Sequence, residues 1–262
     1  MKRPSTASGL TRVLGAASIV SLSILAWAGL FATPPDTVQG EYVRLIYVHP
    51  AVAFTMYMGF GIAAAASVLY LYPRTRSRFW DMLAGASAEV GVVFCGLALA
   101  TGAIWGRPTW GVWWTWDARL TSTALLFALF LGYLALRRVP GDPHTRAKRS
   151  AIAALVASID VPIVHLSVEW WRTLHQGRTI AQLTPTIKGE QLATMLFSFV
   201  AFALVFSWLL LHRFRMERLE AKFESVALDL ALSERRAEAH ADETRAEAHA
   251  NKPGGASIGA NL

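Results

Sequence analysis

The chain has 262 residues, of which 54% are hydrophobic and 16% are charged, well below the roughly 25% charged residues of a typical soluble domain. The net charge of +7 does not indicate a nucleic-acid-binding protein, because the basic residues lie in short segments between long apolar blocks, where positive charge sets membrane orientation. The single cysteine, Cys95, excludes an intrachain disulfide, a CxxC redox site and a thiolate metal cluster.

Six apolar blocks approach or exceed the roughly 20 residues that cross a bilayer core. They are 13–32, 51–72, 82–104, 120–136, 151–168 and 192–211. The first block has an alternative as a signal peptide, because Lys2 and Arg3 precede it and Ala26-Trp27-Ala28 is similar to a cleavage site; its length favours a retained span. We therefore predict an all-α integral membrane protein, a bundle of about six transmembrane helices, with a membrane domain at 1–212 and a cytoplasmic tail at 213–262.

The distribution of basic residues predicts the topology. Nineteen of the 25 Lys and Arg residues lie before the first block, between blocks two and three, between blocks four and five, or in the tail. Cytoplasmic segments are enriched in Lys and Arg. Both termini are therefore predicted to be cytoplasmic, and the segments 33–50, 105–119 and 169–191 are predicted to face outward.

The segment after residue 212 differs in composition from the spans. Its apolar residues follow a 3-4-3-4 spacing among Arg and Glu: Met216, Leu219, Phe223, Val226 and Leu230. This spacing is typical of a short coiled-coil seam or of a helix on a membrane surface. Two copies of Arg-Ala-Glu-Ala-His-Ala follow, at 236–241 and 245–250, and the Gly- and Asn-containing end is predicted to be disordered.

Seven of the ten tryptophans lie in the predicted outward segments: Trp105, Trp110, Trp113, Trp114, Trp116, Trp170 and Trp171. An interfacial aromatic belt explains one or two at each span end, but not five within 105–116. Pro108 is predicted to open a helix, on which Trp110, Trp113, Trp114 and Asp117 share an arc of roughly 100°. This arrangement predicts an aromatic shelf, ending at Asp117, for a large, flat, apolar ligand.

Each of two other outward segments carries a histidine, His49 before the second span and His175 after the fifth. A histidine at a span end is more often a hydrogen-bonded cap than a ligand, but two that flank an aromatic shelf suit the axial positions of a porphyrin iron. Four arginines, whose alternative role is topology anchoring, could reach carboxylates of such a ligand: Arg44, Arg119, Arg172 and Arg178.

The run 105–121, Trp-Gly-Arg-Pro-Thr-Trp-Gly-Val-Trp-Trp-Thr-Trp-Asp-Ala-Arg-Leu-Thr, resembles the WWD signature of haem-handling proteins. With Val48-His49-Pro50 and the segment 167–177, the chain resembles the haem exporter protein C (cytochrome c maturation protein C) family over about residues 10–212. The resemblance implies haem b held by His49 and His175 as axial ligands. It further implies cofactor-binding roles for Trp105, Trp110, Trp113, Trp114, Trp116, Asp117, Arg119, Trp170 and Trp171.

The resemblance also implies a setting in the bacterial inner (cytoplasmic) membrane, with the WWD loop at 105–119 in the periplasm. The implied partners are a periplasmic haem chaperone (maturation protein E), the ATPase and membrane subunits of an ABC transporter (maturation proteins A and B) and a small single-span subunit (maturation protein D). The chain has no GxxxxGK[ST] run, the usual ATP-binding loop. It is therefore predicted to be a haem delivery subunit in c-type cytochrome maturation and not an enzyme.

Two alternatives belong to other functional classes. A WWD-type cytochrome c haem lyase would resemble larger chains with many spans and further membrane histidines. A non-haem channel or carrier subunit would need polar residues in several spans or repeated halves.

Three ionisable residues lie within or near the predicted spans, where charge is costly and often functional. Glu89 is predicted to lie in the outer-to-middle part of the third span and to pair with another helix. Asp160 stands where the family resemblance leads us to expect an uncharged residue. His165, beneath Trp170, is a candidate supporting partner of the histidine site, but a structural hydrogen-bonding role is the favoured interpretation.

Overall fold

The computed structural model describes residues 6–175 and 187–250, with side chains described up to residue 245. Lys2, Arg3, Arg178 and the predicted disordered end after residue 250 lie outside the described residues. Within those residues the chain is α-helical, and its only β-structure is an isolated antiparallel bridge between Asp36 and Gly40.

Seven α-helices follow one another along the described chain. They are α1 Gly9–Trp27, α2 His49–Leu71, α3 Arg78–Trp110, α4 Ala118–Arg137, α5 Pro143–Ser158, α6 Asp160–Trp170 and α7 Gly189–Ala250. A π-helical turn, Ala28–Ala32, extends α1, and a 3-10 helix, Glu41–Tyr47, precedes α2. Six helical stretches are long and apolar enough to span a membrane, with α5 and α6 together forming the fifth. The predicted all-α membrane fold with six spans is confirmed.

The third span is longer than predicted, because α3 continues through Pro108 to Trp110. Pro108 removes one hydrogen bond from the last turn, whereas Gly111 adopts a left-handed φ of 79° and donates its N–H to the carbonyl of Arg107 at 3.0 Å. A left-handed glycine ends a helix at little conformational cost. The prediction that Pro108 opens a helix is therefore wrong, and the loop between α3 and α4 spans only residues 111–117.

The fifth span breaks between α5 and α6. Pro162 has no N–H to donate to the carbonyl of Ser158, and its ring crowds that turn. Asp160 lies at the break with 5% of its surface exposed, and its Oδ2 atom has no hydrogen-bond partner among the described residues. The break gives α6 its own direction toward the end of the bundle where α2 begins.

Close packing of α2 on α3 sets the positions of their ends. A Cβ atom on Gly59 would lie 2.7 Å from the Cα of Gly91, so the two backbones touch at this level. Phe60 stacks on Phe130 of α4 with 3.8 Å between ring centroids. Because α2 and α3 run antiparallel, this packing brings the start of α2 beside the end of α3. His49 and the first tryptophans of the 105–116 run therefore meet at one end of the bundle, which we call the histidine end.

An ionic cluster lies at the opposite end, which we call the ionic end. Arg137 donates to Asp81 at 2.7 Å, and Arg213 of α7 donates to Glu89 at 2.8 Å and to Glu217 at 3.2 Å. The prediction that Glu89 pairs with another helix is confirmed. Its predicted depth is wrong, because Glu89 lies in the first half of α3, nearer the ionic end than the histidine end.

The chain divides into two compact units, Met1–Glu217 and Arg218–Leu262. In the first unit, α1 packs on α7, where Gly15 leaves room for the indole of Trp208. In the second unit the described residues are helical, and the apolar positions Phe223, Val226 and Leu230 are exposed. A coiled-coil or membrane-surface role for that face stays a prediction, as does its cytoplasmic location.

Candidate functional site

A cavity of about 450 Å³ opens at the histidine end of the bundle, between α2, α3, α4 and α6. Its volume lies within the roughly 300–1,000 Å³ typical of small-molecule and cofactor sites. The walls are mainly apolar, with a few polar side chains that converge on the space. Six residues that the sequence singled out line it: His49, Trp105, Trp110, Arg119, His165 and His175.

His49 is the first residue of α2, directly before Pro50. Its Nδ1 atom lies 3.0 Å from the hydroxyl of Thr101 on α3. That hydroxyl donates to the carbonyl of Leu97 at 2.8 Å, so it accepts a hydrogen bond from Nδ1–H of the histidine. This tautomer leaves the Nε2 lone pair of His49 free to bind a metal.

The ring of His49 lies against α3 because Gly102 has no side chain. A Cβ atom at this position would lie 3.1 Å from the ring carbon Cε1, closer than ordinary packing allows. Trp105 contacts the same ring edge-on, with 5.9 Å between centroids. Gly102 and Trp105 therefore hold the imidazole in one orientation.

His175 has a matching arrangement. Its Nδ1 atom lies 3.1 Å from Oδ2 of Asp117, and a carboxylate accepts hydrogen bonds. Asp117 is itself held in place, because its Oδ1 caps α4 by accepting from the N–H of Leu120 at 2.8 Å. Its Oδ2 also accepts from the backbone of Leu174 at 3.3 Å. His175 therefore also keeps its Nε2 atom free.

Burial lowers the pKa of His175 below its ordinary value, and this effect outweighs the opposing hydrogen bond and charge of Asp117. The nearby charge of Arg119 lowers the pKa of His175 further. The fold thus favours the neutral imidazole, which is the metal-binding form. By linkage, this group lowers the stability of the fold as the pH falls below about 6.5, the pKa of an unperturbed histidine.

The tryptophans fall into two groups. Trp105 and Trp110 line the cavity, and Trp110 contacts the ring of His175 edge-on at 4.7 Å. The others lie outside the cavity lining: Trp113, Trp114, Trp116, Trp170 and Trp171. Within this second group, Trp113 and Trp116 are 59% and 80% exposed. The predicted helical shelf is absent because residues 111–117 are not helical.

Four of these five tryptophans form edge-on pairs. Trp114 contacts Trp116 at 5.5 Å, and Trp170 contacts Trp171 at 5.7 Å. Trp170 and Trp171 are each about half exposed. We call Trp113, Trp114, Trp116, Trp170 and Trp171 the outer tryptophans.

Of the four arginines proposed from sequence, three lie among the described residues, and their surroundings differ. Arg119 lines the cavity and donates to the carbonyl of His165 at 3.2 Å, while its buried Nε has no partner among the described residues. Arg44 instead contacts Glu41 and the backbone carbonyls of Gly29 and Thr33, outside the cavity lining. Arg172 is exposed beyond α6. Among these three arginines that the structure describes, Arg119 alone lines the cavity.

Three further residues contribute to the cavity, together with His165. Gln39 accepts a hydrogen bond from Nε1 of Trp105 at 2.9 Å. Thr101 orients His49 through the hydrogen bond described above. Tyr57 and His165 line the cavity wall, with 6.1 Å between their ring centroids. His165 therefore lines the cavity itself, whereas the sequence pattern favoured a structural role over a supporting one. Gln39, Thr101 and Tyr57 have no distinguishing sequence pattern, and only their position beside the histidines and tryptophans identifies them.

A model of the family described as "Heme exporter protein C" matches residues 3–229. The chain belongs to this family. It is 41% identical to the heme exporter protein C of Haemophilus influenzae over 73% of this chain and 78% of that protein. It is 37% identical to the heme exporter protein C of Bradyrhizobium diazoefficiens, over 82% and 81% of the two chains. Its identity to the heme exporter protein C of Escherichia coli K12 is 36%, over 77% and 81%.

If His175 of this heme exporter protein C family member binds haem iron through Nε2, Asp117→Asn should weaken haem binding by about 10–100-fold, the usual effect of losing an orienting partner of a metal ligand. The asparagine keeps the helix cap, but its amide presents a donor to Nδ1 and favours the tautomer with a proton on Nε2. Haem titration of the purified variant and its ferric spectrum measure the effect.

The matched control is Asp142→Asn, because Asp142 caps α5 in the same way, accepting from the N–H of Thr145 at 2.8 Å. This variant should keep the parent affinity. Parent affinity and spectrum in Asp117→Asn would show that Asp117 does not orient His175 for binding.

Proposed function

We propose that this protein holds haem b in the cavity, with His49 and His175 as the two axial iron ligands, and delivers it to a periplasmic haem chaperone during c-type cytochrome maturation. Membership in the heme exporter protein C family supports a haem-handling role. The observation that carries the proposal is the matched histidine pair: both rings face one cavity, and each has Nδ1 occupied by an orienting partner.

The rest of the cavity suits a flat, apolar molecule with carboxylates at one edge. The indoles of Trp105 and Trp110 provide aromatic walls, and aromatic contacts add about 0.5–1.5 kcal/mol per pair beyond area burial. Arg119 has a buried Nε without a partner among the described residues, and a guanidinium forms strong paired hydrogen bonds with carboxylates. We assign Arg119 to a haem propionate.

The outer tryptophans have a different role in the proposal. Trp113 and Trp116 are largely exposed, and exposed aromatic patches are typical of membrane or protein contact surfaces. A delivery protein must release its ligand to an acceptor, so part of its binding surface has to be shared with that acceptor. We propose that the outer tryptophans contact the haem or the chaperone, maturation protein E, during transfer.

The proposed setting is the bacterial inner membrane, with both termini cytoplasmic and the histidine end in the periplasm, as the distribution of Lys and Arg predicts. The proposed partners are an ABC transporter made of maturation proteins A and B and the single-span maturation protein D. Energy from ATP would come from those partners, because this chain lacks the usual phosphate-binding loop. In this proposal the protein delivers haem and catalyses no reaction.

The test combines spectroscopy with topology. The purified full-length protein should show the Soret band of a low-spin, six-coordinate haem, and pyridine treatment should identify the haem as b-type.

Alkaline phosphatase fusions at residues 40 and 110 should be active, and those at 75 and 142 inactive. A protein that binds no haem would contradict the proposal and favour a channel or carrier subunit. Covalent attachment of haem to apocytochrome by this protein alone would favour a lyase.

A further inference from the structure

A second cavity, of about 310 Å³, lies at the ionic end of the bundle, at the opposite end from His49 and His175. It forms where the turn between α2 and α3 meets the start of α5. Its polar lining is strongly basic and consists of Arg76, Arg78, Arg146, His144, Tyr70, Ser77 and Asp81. We propose that this cavity binds the phosphate group of an anionic phospholipid.

The charge balance favours an anion. Asp81 is the acidic residue of the lining, and Arg137, which lies outside the lining, binds it at 2.7 Å. The carboxylate is therefore already neutralised, and the positive charges of the lining arginines are left in excess. Guanidinium groups bind phosphate oxygens through paired, charge-assisted hydrogen bonds.

The lining arginines are not equally available. Arg76 donates to the carbonyls of Tyr70 and Leu71, at 3.2 and 3.0 Å, and so caps the end of α2. Arg78 and Arg146 are directed to the cavity from the first turns of α3 and α5. The positive ends of two helix dipoles reinforce their charge there. Arg78 and Arg146 are therefore assigned as the phosphate-binding pair.

The location favours a lipid over a soluble phosphate compound. The cavity lies between the ends of two membrane spans, Glu41–Leu71 and Arg78–Trp110. Tyr72 and Phe79, which flank the turn, are 48% and 47% exposed, and aromatic side chains at span ends contact the headgroup region of a bilayer. The predicted topology places this end at the cytoplasmic leaflet, whose anionic lipids attract basic residues next to spans.

The experiment compares two charge-matched double variants of the full-length protein in detergent. Arg78→Gln/Arg146→Gln removes the proposed pair. Arg74→Gln/Arg138→Gln removes the same charge from the same end of the bundle, outside the cavity lining. Native mass spectrometry measures bound phosphatidylglycerol against phosphatidylcholine, and thermal unfolding measures protection by phosphatidylglycerol against inorganic phosphate.

Phosphatidylglycerol should bind to the parent protein and to the Arg74/Arg138 variant and protect both against thermal unfolding. Its affinity for the Arg78/Arg146 variant should be at least about tenfold lower than for the parent. Arg78→Lys/Arg146→Lys keeps the charge and should show intermediate binding because lysine lacks the planar fork. Equal losses in both Gln variants, or no selectivity for phosphatidylglycerol, would overturn the site. Equal protection by inorganic phosphate would overturn its assignment to a lipid.

Discussion

Replacing His49 or His175 with Ala is expected to convert the bound haem from a low-spin, six-coordinate state to a high-spin state, to shift its reduction potential and to lower its affinity. Each imidazole presents a free Nε2 to the cavity because its Nδ1 donates to Thr101 or Asp117. Loss of an orienting partner costs about 10–100-fold in metal affinity, and loss of the ligand itself should cost more. Haem titrations, ferric and ferrous spectra, and redox titrations of each variant measure these effects.

Two controls make the result specific. Imidazole added to either alanine variant should enter the space left by the side chain and restore the low-spin spectrum. His144→Ala removes a histidine at the other end of the bundle, beside Tyr70, and should leave the spectrum unchanged. If both His49→Ala and His175→Ala retain the parent spectrum, the axial assignment is wrong and His165, which also lines the cavity, becomes the first candidate.

The membrane fold was largely predictable because it depends on the length of apolar runs. A span must satisfy its backbone hydrogen bonds internally and cover the bilayer core, so composition alone identifies it. Span ends were less predictable. Pro108 carries the stronger sequence signal for a helix boundary, yet α3 passes through it and ends at Trp110. The left-handed conformation of Gly111 provides the actual stop.

The site was predictable in its residue types but not in its contacts. His49 and Trp105 could be placed near each other because both lie at the same predicted end of spans. The hydrogen bond from His175 to Asp117 joins residues 58 positions apart, and it depends on how the loop after α6 packs on the start of α4. Asp117 therefore gains a role in orienting a ligand that its position in the sequence did not indicate.

Replacing Trp105 and Trp110 together with Leu is expected to weaken haem binding by about 5–150-fold, whereas the same change at Trp113 and Trp116 should leave affinity within about twofold of the parent. The first two indoles line the cavity and contact the imidazoles edge-on. Two lost aromatic contacts cost about 1–3 kcal/mol. Trp113 and Trp116 are exposed outside the lining, so their loss should mainly slow transfer to the chaperone.

The measurements are equilibrium haem titration and the rate of haem transfer to maturation protein E, at matched protein levels and helix content. Trp105→Phe serves as a finer variant, because it keeps an aromatic ring in the wall while it removes the hydrogen bond to Gln39 and part of the ring surface. It should bind haem more tightly than Trp105→Leu. A loss of affinity in the Trp113/Trp116 variant as large as that in the Trp105/Trp110 variant would mean that the whole tryptophan run binds haem as one surface. The 111–117 loop would then have to close over the cavity when haem is bound.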